Sequence, residues 1–148
     1  MMATFARHVD VDWTGGLLDG SGVAKAGSGA FSVPVTFPSR IAEKADGKTT
    51  PEELMAAAHA VCYAMVLTNT ISKKGGNLTR LRVTATVTAD KSEAGIKVTS
   101  SQLDAQVEGL QGIEPSGLQA LAVDAEKGCP ISNAIRGTVA VTVTAKAV

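Results

Sequence analysis

The chain has 148 residues, which suits a single domain, and its 14 Lys and Arg balance its 14 Asp and Glu. Without a surplus of positive charge, it is not expected to bind nucleic acids or anionic membranes. Apolar residues make up 45% and charged residues 19%, which is typical of a folded globular protein. Aromatic residues make up only 3%, so stacking platforms for bases or sugars are not expected.

Three strands are predicted in the N-terminal part of the chain. Residues 4–13 alternate between apolar and polar side chains, which predicts a half-buried strand. Glycine turns separate it from strands over residues 17–26 and 31–35. Because Pro34 lacks a backbone N–H, the third strand is expected at a sheet edge. Residues 37–48 show no clear period and are expected to form a loop.

The longest predicted element is a helix that begins at Pro51 and ends near Lys74. Its start is marked by TTPEEL, which places proline at the first helical position and Glu53 at the third. A glycine pair ends it. Residues 54–71 are apolar nearly all round, so the helix must be covered on more than one side. One small sheet can cover only one of these sides.

This helix also raises the question of a membrane span. The uncharged run over residues 54–72 is long enough to cross a bilayer. It contains His59 and several polar residues, and glycines and strand patterns flank it, which favours a buried helix of a soluble protein. The first residues, MMATFARHVDVDW, contain no basic stretch followed by an apolar run, so a cytoplasmic protein with no membrane partner is expected.

The second half of the chain mixes strands with short helices. The strand predicted over residues 96–107 changes its apolar parity between Val98 and Leu103, which indicates a bulge or a bend. The other elements predicted here are a strand over 80–89, a helix over 114–127, a helical turn over 129–135 and a strand over 139–145. The order βββ-α-ββ-α-β predicts an α+β fold with antiparallel sheets and a long central helix.

Two cysteines are the main candidates for chemistry. Cys62 lies within AAAHAVCYAMVL, where a free cysteine is commonly a small buried hydrophobic residue. Cys129 lies in KGCPIS, just before a proline that starts a helix, so its sulfur is expected to face free backbone N–H groups, which favour a thiolate. The spacing of the two cysteines leaves the redox-active and inert interpretations both open.

No metal site or cofactor is expected. Of the two histidines and two cysteines, only His59 and Cys62 are close in sequence, and no Cys-x-x-Cys pair occurs. His59 and Cys62 are one helical turn apart and could form a thiol–imidazole pair, although a core or interface histidine with satisfied hydrogen bonds is the commoner case. The glycines form no phosphate loop, and no serine-nucleophile elbow is present.

Two segments resemble the OsmC branch of the OsmC/Ohr peroxidases, the osmotically inducible and organic-hydroperoxide-resistance proteins. They are FPSRIAEKADGKTTPEELMAAAHAVCYAMVL and GCPISNAIRG, and their PEEL, AAHAxC and CPIS elements are specific in combination. The resemblance covers the whole chain. It implies one OsmC-like domain over residues 1–148, a two-fold homodimer, and thiol-dependent reduction of organic hydroperoxides, with hydrogen peroxide reduced less well.

The resemblance also implies the roles of four residues. Cys62 would be the peroxidatic cysteine and Cys129 the resolving one, and an external thiol or dithiol would reduce the disulfide they form. Glu52 and Arg40 would assist; Arg40 of FPSR matches the OsmC branch, whereas the Ohr branch takes its arginine from nearer the N-terminus. No cofactor or metal would take part.

Physical reasoning supports these roles. A guanidinium about 4 Å from Cys62 would favour the thiolate by up to about 4 kcal/mol at an effective dielectric of about 20, which is about three pKa units before the effect of burial. Glu52 would hold Arg40 by bidentate hydrogen bonds. In a regular helix Glu52 and Cys62 would be about 15 Å apart along the axis, so the Glu52 of an antiparallel second copy would approach Cys62 more easily.

Other functions stay open on these residues. One is a non-catalytic protein of the same fold, either a redox sensor or a binder of a small apolar ligand. Another is a structural dimer whose cysteines are inert. Rapid loss of both thiols on treatment with peroxide would favour the peroxidase over both.

Overall fold

The computed structural model of the chain describes residues 2–148. It divides into two compact units: an N-terminal unit that ends at Leu54, and a C-terminal unit that runs from Met55 to Val148. The α+β class is confirmed, while the single domain over 1–148 stays a prediction. The elements are β1 (Val9–Thr14), β2 (Ser21–Ala26), β3 (Ser32–Val35), α1 (Phe37–Ile41), α2 (Pro51–Lys73), β4 (Arg80–Ser92), β5 (Gly95–Glu108), a 3-10 turn (Pro115–Gly117), α3 (Leu118–Lys127), α4 (Pro130–Ile135) and β6 (Ala140–Ala147).

The N-terminal unit contains an antiparallel sheet in the order β1-β2-β3. Pro34 lies in β3, at one edge of this sheet, so the predicted edge position is confirmed. The prediction of a half-buried first strand is wrong for this chain, because β1 is exposed along its whole length. Its apolar residues alternate as expected, but Val9, Val11 and Trp13 remain 50%, 59% and 41% exposed.

A short helix, α1, occupies part of the segment that was predicted to be a loop. Its N-cap is Thr36, whose Oγ1 accepts a hydrogen bond from the backbone N–H of Ser39 at 3.2 Å. Pro38 lies in the first turn, where a fixed φ and a missing N–H cost nothing. The helix is too short to show an apolar period, which is why the sequence pattern does not reveal it. Its last turn carries Arg40.

Both ends of α2 confirm the prediction. At the N-terminus, the backbone N–H of Glu53 donates to Thr50 Oγ1 at 3.0 Å. At the C-terminus, Gly75 has a φ of 82°, in the left-handed region that glycine adopts most easily. The N–H of Gly76 then donates to the carbonyl of Ile71 at 3.0 Å, a hydrogen bond that closes the last helical turn.

The C-terminal unit contains the sheet β4-β5-β6. In the antiparallel pair β4–β5, Thr88 pairs with Ser100 and Ala89 pairs with Val98, so Thr99 is the extra residue of the predicted bulge. The prediction of antiparallel sheets is wrong at β6, which pairs with β5 in parallel. The connection between them contains α3 and α4, and such a crossover brings the chain back to run in the same direction.

The core lies in the C-terminal unit, along one face of α2. Four α2 side chains at four-residue spacing form this face, because such residues lie one above another on a helix. They pack against β5 and α3. The buried residues are His59, Tyr63, Leu67 and Ile71 of α2, Leu103, Ala105 and Val107 of β5, and Leu118, Leu121, Ala122 and Ala125 of α3.

The outer face of α2 carries exposed apolar side chains. Val61 is 56% exposed and Met65 is 68% exposed. By length and composition alone α2 could cross a membrane, but its inner face packs into a core. The sequence predicts that this helix is covered on more than one side, and for the outer face that cover stays a prediction.

Candidate active site

The two cysteine side chains lie next to each other in the C-terminal unit. Cys62 projects from the middle of α2 and is half-buried, whereas Cys129 is fully buried at the N-cap of α4. Both are free thiols, and Cys62 packs against the buried cluster that contains Cys129. The fold thus brings together two thiols that are far apart in sequence, with one of them open to an approaching molecule.

The pKa of Cys62 is shifted upward. Burial is the main cause, and the neighbouring Cys129 raises the pKa further through its hydrogen bond and its charge. The backbone N–H of Ile131 acts in the opposite direction by donating to the Cys62 sulfur. The net effect of these neighbours is to raise the pKa of Cys62, and the ionised Cys62 stays a prediction.

The N-terminus of α4 faces the Cys62 thiol rather than the Cys129 thiol, which was the one expected. The sequence suggested that free N–H groups there would face Cys129, but the Cys129 side chain makes no capping hydrogen bond. Pro130 has no N–H to donate, and the next amide, that of Ile131, is directed at Cys62. That expectation is wrong, because Cys129 is the N-cap residue of the helix, whereas the Cys62 sulfur lies in front of the helix N-terminus.

Arg40 and Glu52 form an ion pair in the N-terminal unit. Arg40 Nε donates to both carboxylate oxygens, at 3.1 and 3.2 Å, and Nη2 donates to Oε1 at 2.7 Å. Their side chains are only 29% and 14% exposed. The hydrogen bonds from Arg40 lower the pKa of Glu52, although burial opposes this shift. The bidentate contact expected from the sequence is confirmed. The role of this pair in catalysis stays a prediction.

His59 takes part in a buried polar cluster that the sequence did not reveal. Its Nδ1 is 2.6 Å from Ser101 Oγ, and its Nε2 is 2.7 Å from Ser132 Oγ. Both ring nitrogens are therefore used by serine hydroxyls, which confirms the interpretation of a satisfied core histidine rather than a thiol–imidazole pair with Cys62. Burial lowers the pKa of His59, while the charge of Glu126 opposes that shift.

A second buried carboxylate, Glu126, borders this cluster. Its Oε2 accepts a hydrogen bond from Arg136 Nη1 at 3.1 Å. Its Oε1 is 3.0 Å from Nη2 but off the direction of the N–H bond, so among the described residues it has no hydrogen-bond partner. The negative charge of Glu126 and, above all, burial raise the pKa of Tyr63, whose hydroxyl donates to the Ala122 carbonyl at 2.8 Å.

None of these groups forms a metal centre in the described chain. Among residues 2–148, no cluster of three or more His, Cys, Asp or Glu side chains has the spacing of a metal site. The carboxylates of Glu52 and Glu126 are each engaged by an arginine.

Comparison with known proteins defines the class. The family model described as OsmC-like protein matches residues 44–144, and the chain belongs to this family. Over 137 residues it is 31% identical to Peroxiredoxin OsmC of Escherichia coli (strain K12), an alignment that covers 92% of this chain and 94% of that protein. It is also 35% identical over 103 residues to the organic hydroperoxide resistance protein OhrA of Bacillus subtilis (strain 168), with coverages of 68% and 70%.

Solved structures show the same fold. An organic hydroperoxide resistance protein from Elizabethkingia anophelis superposes with a TM-score of 0.76 at 27% identity, covering 99% of this chain and 100% of the other. An OsmC protein from Legionella pneumophila gives a TM-score of 0.75 at 25% identity, covering 98% and 99%. Both the OsmC and the Ohr branches are therefore represented among its relatives.

Proposed function

We propose that this protein is a cysteine-based peroxidase that reduces organic hydroperoxides, and hydrogen peroxide less well. The observation that carries the proposal is the half-buried Cys62 thiol beside the buried Cys129 thiol, in a chain of the OsmC-like family. The names of two relatives, a peroxiredoxin and an organic hydroperoxide resistance protein, agree with this activity.

The proposed reaction has two steps. The Cys62 thiolate attacks one peroxide oxygen, the O–O bond breaks, and an alcohol leaves after taking up a proton, while Cys62 becomes a sulfenic acid. The Cys129 sulfur then attacks the Cys62 sulfur, forming a disulfide and releasing water. An external thiol or dithiol reduces this disulfide and returns both cysteines to the reduced state.

Ionisation of Cys62 is assigned to Arg40. Burial raises the pKa of Cys62, so an unaided thiol would be a poor nucleophile at neutral pH. The hydrogen bonds to Glu52 use Nε and Nη2 of Arg40, which fixes the guanidinium plane and leaves Nη1 for another partner. A guanidinium brought to about 4 Å would contribute up to about 4 kcal/mol toward the thiolate and could also donate to the peroxide oxygens.

A two-fold homodimer completes the proposal. The apolar side of β1 and the outer face of α2 are both exposed in the described chain, with Trp13 at 41% and Met65 at 68%. Apolar surfaces of this kind are commonly covered by another protein surface. A second copy of the chain can cover them, and a closed two-fold pair is the commonest arrangement for a homo-oligomer.

The free cysteines and the net charge indicate the compartment and the partners that we propose. Two free cysteines suit a reducing compartment, so we place the protein in the cytoplasm. The chain carries no net charge, so neither nucleic acid nor an anionic membrane is a proposed partner. The only partners proposed are a second copy, the hydroperoxide and the thiol reductant.

Peroxide titration tests this function. Reduced protein is mixed with tert-butyl hydroperoxide or hydrogen peroxide, and free thiols and peroxide consumption are followed in time with a dithiol as reductant. We expect fast turnover, with a preference for the organic hydroperoxide, and loss of turnover in Cys62→Ser. Slow oxidation of both thiols, unchanged in Cys62→Ser, would refute the proposal.

A second candidate is a redox sensor of the same fold. The observation that favours it is the half-buried Cys62 thiol close to a second cysteine, an arrangement that redox-sensor cysteines commonly show. The titration separates the two functions: a sensor forms the Cys62–Cys129 disulfide but is not returned rapidly to the thiol state by a dithiol. A small apolar ligand, the remaining alternative, would bind without any loss of thiols.

A further inference from the structure

Three fully buried polar side chains join three elements of the C-terminal unit. His59 of α2 contacts Ser101 of β5 through Nδ1 at 2.6 Å and Ser132 of α4 through Nε2 at 2.7 Å. A buried polar group that lacks a partner is costly, so the imidazole holds both hydroxyl groups in place and they hold the ring. The ring is a rigid spacer between a strand and a six-residue helix.

His59 and Ser132 lie close in sequence to the two cysteines. His59 lies one helical turn before Cys62 on α2, and Ser132 lies one helical turn after Cys129, at the start of α4. The Nε2–Oγ contact therefore connects the same two helices that present the two sulfurs. Rotation or withdrawal of α4 would break this contact and carry Cys129 away from Cys62.

The hydrogen bonds hold the ring in a single orientation. A neutral imidazole has one donor and one acceptor nitrogen, and a serine hydroxyl can play either part, so both contacts are satisfied in either tautomer. The ring is pinned from opposite sides, by β5 at Nδ1 and by α4 at Nε2. Only the contact with Ser132 reaches the helix that begins at Cys129, and this difference makes the two serines separable by experiment.

We propose that His59 is a positioning residue for the resolving step, acting through Ser132 to hold Cys129 against Cys62. The inference rests on the proposed function, in which Cys129 resolves the sulfenic acid of Cys62. In that step the Cys129 sulfur forms the S–S bond, the S–O bond of Cys62 breaks, and the thiol proton leaves with the hydroxide as water. The rate of such an intramolecular step depends steeply on how well the reacting atoms are placed.

Two substitutions of His59 separate its two contacts. In His59→Gln the side-chain amide lies near the former position of Nε2, so it can still bond to Ser132. In His59→Asn the amide lies near the position of Nδ1, so it can reach Ser101 but not Ser132. Both variants keep a polar group in the same buried site, which makes them matched controls for the loss of packing. Far-ultraviolet circular dichroism and thermal unfolding test whether each variant is folded.

Two serine substitutions provide an independent pair. Ser132→Ala and Ser101→Ala each remove one buried hydroxyl and leave one imidazole nitrogen without its partner, so their structural cost is alike. Only Ser132→Ala removes the contact between His59 and α4. If His59 acted merely as a core residue, the two variants would behave alike.

The experiment follows the resolving step and the thiol pair separately. After a pulse of tert-butyl hydroperoxide, dimedone traps any Cys62 sulfenic acid and mass spectrometry measures the rate of disulfide formation. Without peroxide, glutathione redox buffers give the equilibrium constant of the Cys62–Cys129 disulfide. In Ser132→Ala and His59→Asn we expect both quantities to fall about tenfold, with trapped sulfenic acid accumulating. Ser101→Ala and His59→Gln should change each by less than about twofold.

Two results would overturn the inference: equal effects in both members of a pair, or no effect in Ser132→Ala and His59→Asn. Failure of the proposed function has a different signature. If wild-type protein forms no disulfide with peroxide, the peroxidase is refuted, and the glutathione equilibrium still decides whether His59 and Ser132 hold the thiols together.

Discussion

The Arg40–Glu52 pair gives a quantitative prediction for stability. Glu52→Gln removes a carboxylate that accepts three hydrogen bonds from one guanidinium, at 2.7 to 3.2 Å. Hydrogen bonds to charged groups contribute about 1.5–3 kcal/mol each when buried, but this pair is partly exposed and partly screened. We therefore expect the free energy of unfolding at neutral pH to fall by about 1–2 kcal/mol in total.

The pH dependence of this effect has a definite sign. Arg40 lowers the pKa of Glu52 below its ordinary value of 4.5 in the folded state. The carboxylate therefore contributes its full stabilisation above about pH 4.5, and that contribution is lost as the pH falls through the lower, folded-state pKa. The difference between wild type and Glu52→Gln should shrink in the same acidic range.

Urea unfolding at fixed protein concentration measures this difference. With a slope of about 2 kcal/mol per molar urea, the midpoint should fall by about 0.5–1 M at neutral pH. Glu53→Gln is the matched control, because it removes a charge from the same helical turn, where Glu53 accepts a hydrogen bond from the Thr49 hydroxyl at 2.9 Å but no bond from an arginine. An equal loss in Glu53→Gln, or an unchanged difference at low pH, would refute the reasoning.

Three further predictions concern activity, assembly and packing. Arg40→Lys keeps a positive charge but loses the planar guanidinium, so we expect peroxide reduction to be at least about tenfold slower. The pH profile of iodoacetamide alkylation should also show a higher pKa of Cys62. An unchanged profile would show that another group ionises this thiol. Met65→Glu places a charge on the exposed outer face of α2. Sedimentation should then show a monomer for this variant and a dimer for the wild type. A dimeric variant would mean that this face is not the dimer interface. Tyr63→Phe leaves the Ala122 carbonyl without its 2.8 Å hydrogen bond, which should lower unfolding stability by about 1–2 kcal/mol in urea titration; a wild-type midpoint would contradict the importance of this bond.

Local signals in the sequence predicted the ends of the long helix and the irregular strand. Thr50 and Pro51 define the start of α2, and Gly75 defines its end, because capping and left-handed backbone are decided by a few adjacent residues. The parity change along β5 predicted the bulge at Thr99, since an extra residue reverses the faces of all that follow. The pattern over residues 114–127 predicted a helix, and the structure has a 3-10 turn over Pro115–Gly117 followed by α3 from Leu118.

Features that depend on distant contacts could not be read in this way. The parallel pairing of β6 depends on where the crossover returns, which no local pattern records. The exposure of β1 depends on whether another surface covers its apolar side. Alternation describes a strand with two different faces and does not say what lies on either of them.

In the candidate site, too, motifs predicted some of the residues, whereas contacts between distant residues were not predicted. The cysteines and the Arg40–Glu52 pair were found from motifs, whereas the serine partners of His59 were not. Ser132 lies within the CPIS motif and could have been suspected, but Ser101 lies in a strand with nothing to mark it as a partner of a histidine. The raised pKa of Cys62 was also unforeseen, because burial and the neighbouring thiol are properties of the folded chain.

The most direct test of the central claim is to map the cysteines after reaction with an equimolar amount of organic hydroperoxide. Fully reduced protein is oxidised for a short time, alkylated, digested, and its disulfide-linked peptides are identified by mass spectrometry. The account predicts rapid, stoichiometric loss of both thiols and one intramolecular bond between Cys62 and Cys129. Slow oxidation that leaves Cys129 as a free thiol, or that links Cys62 only to other molecules, would contradict it.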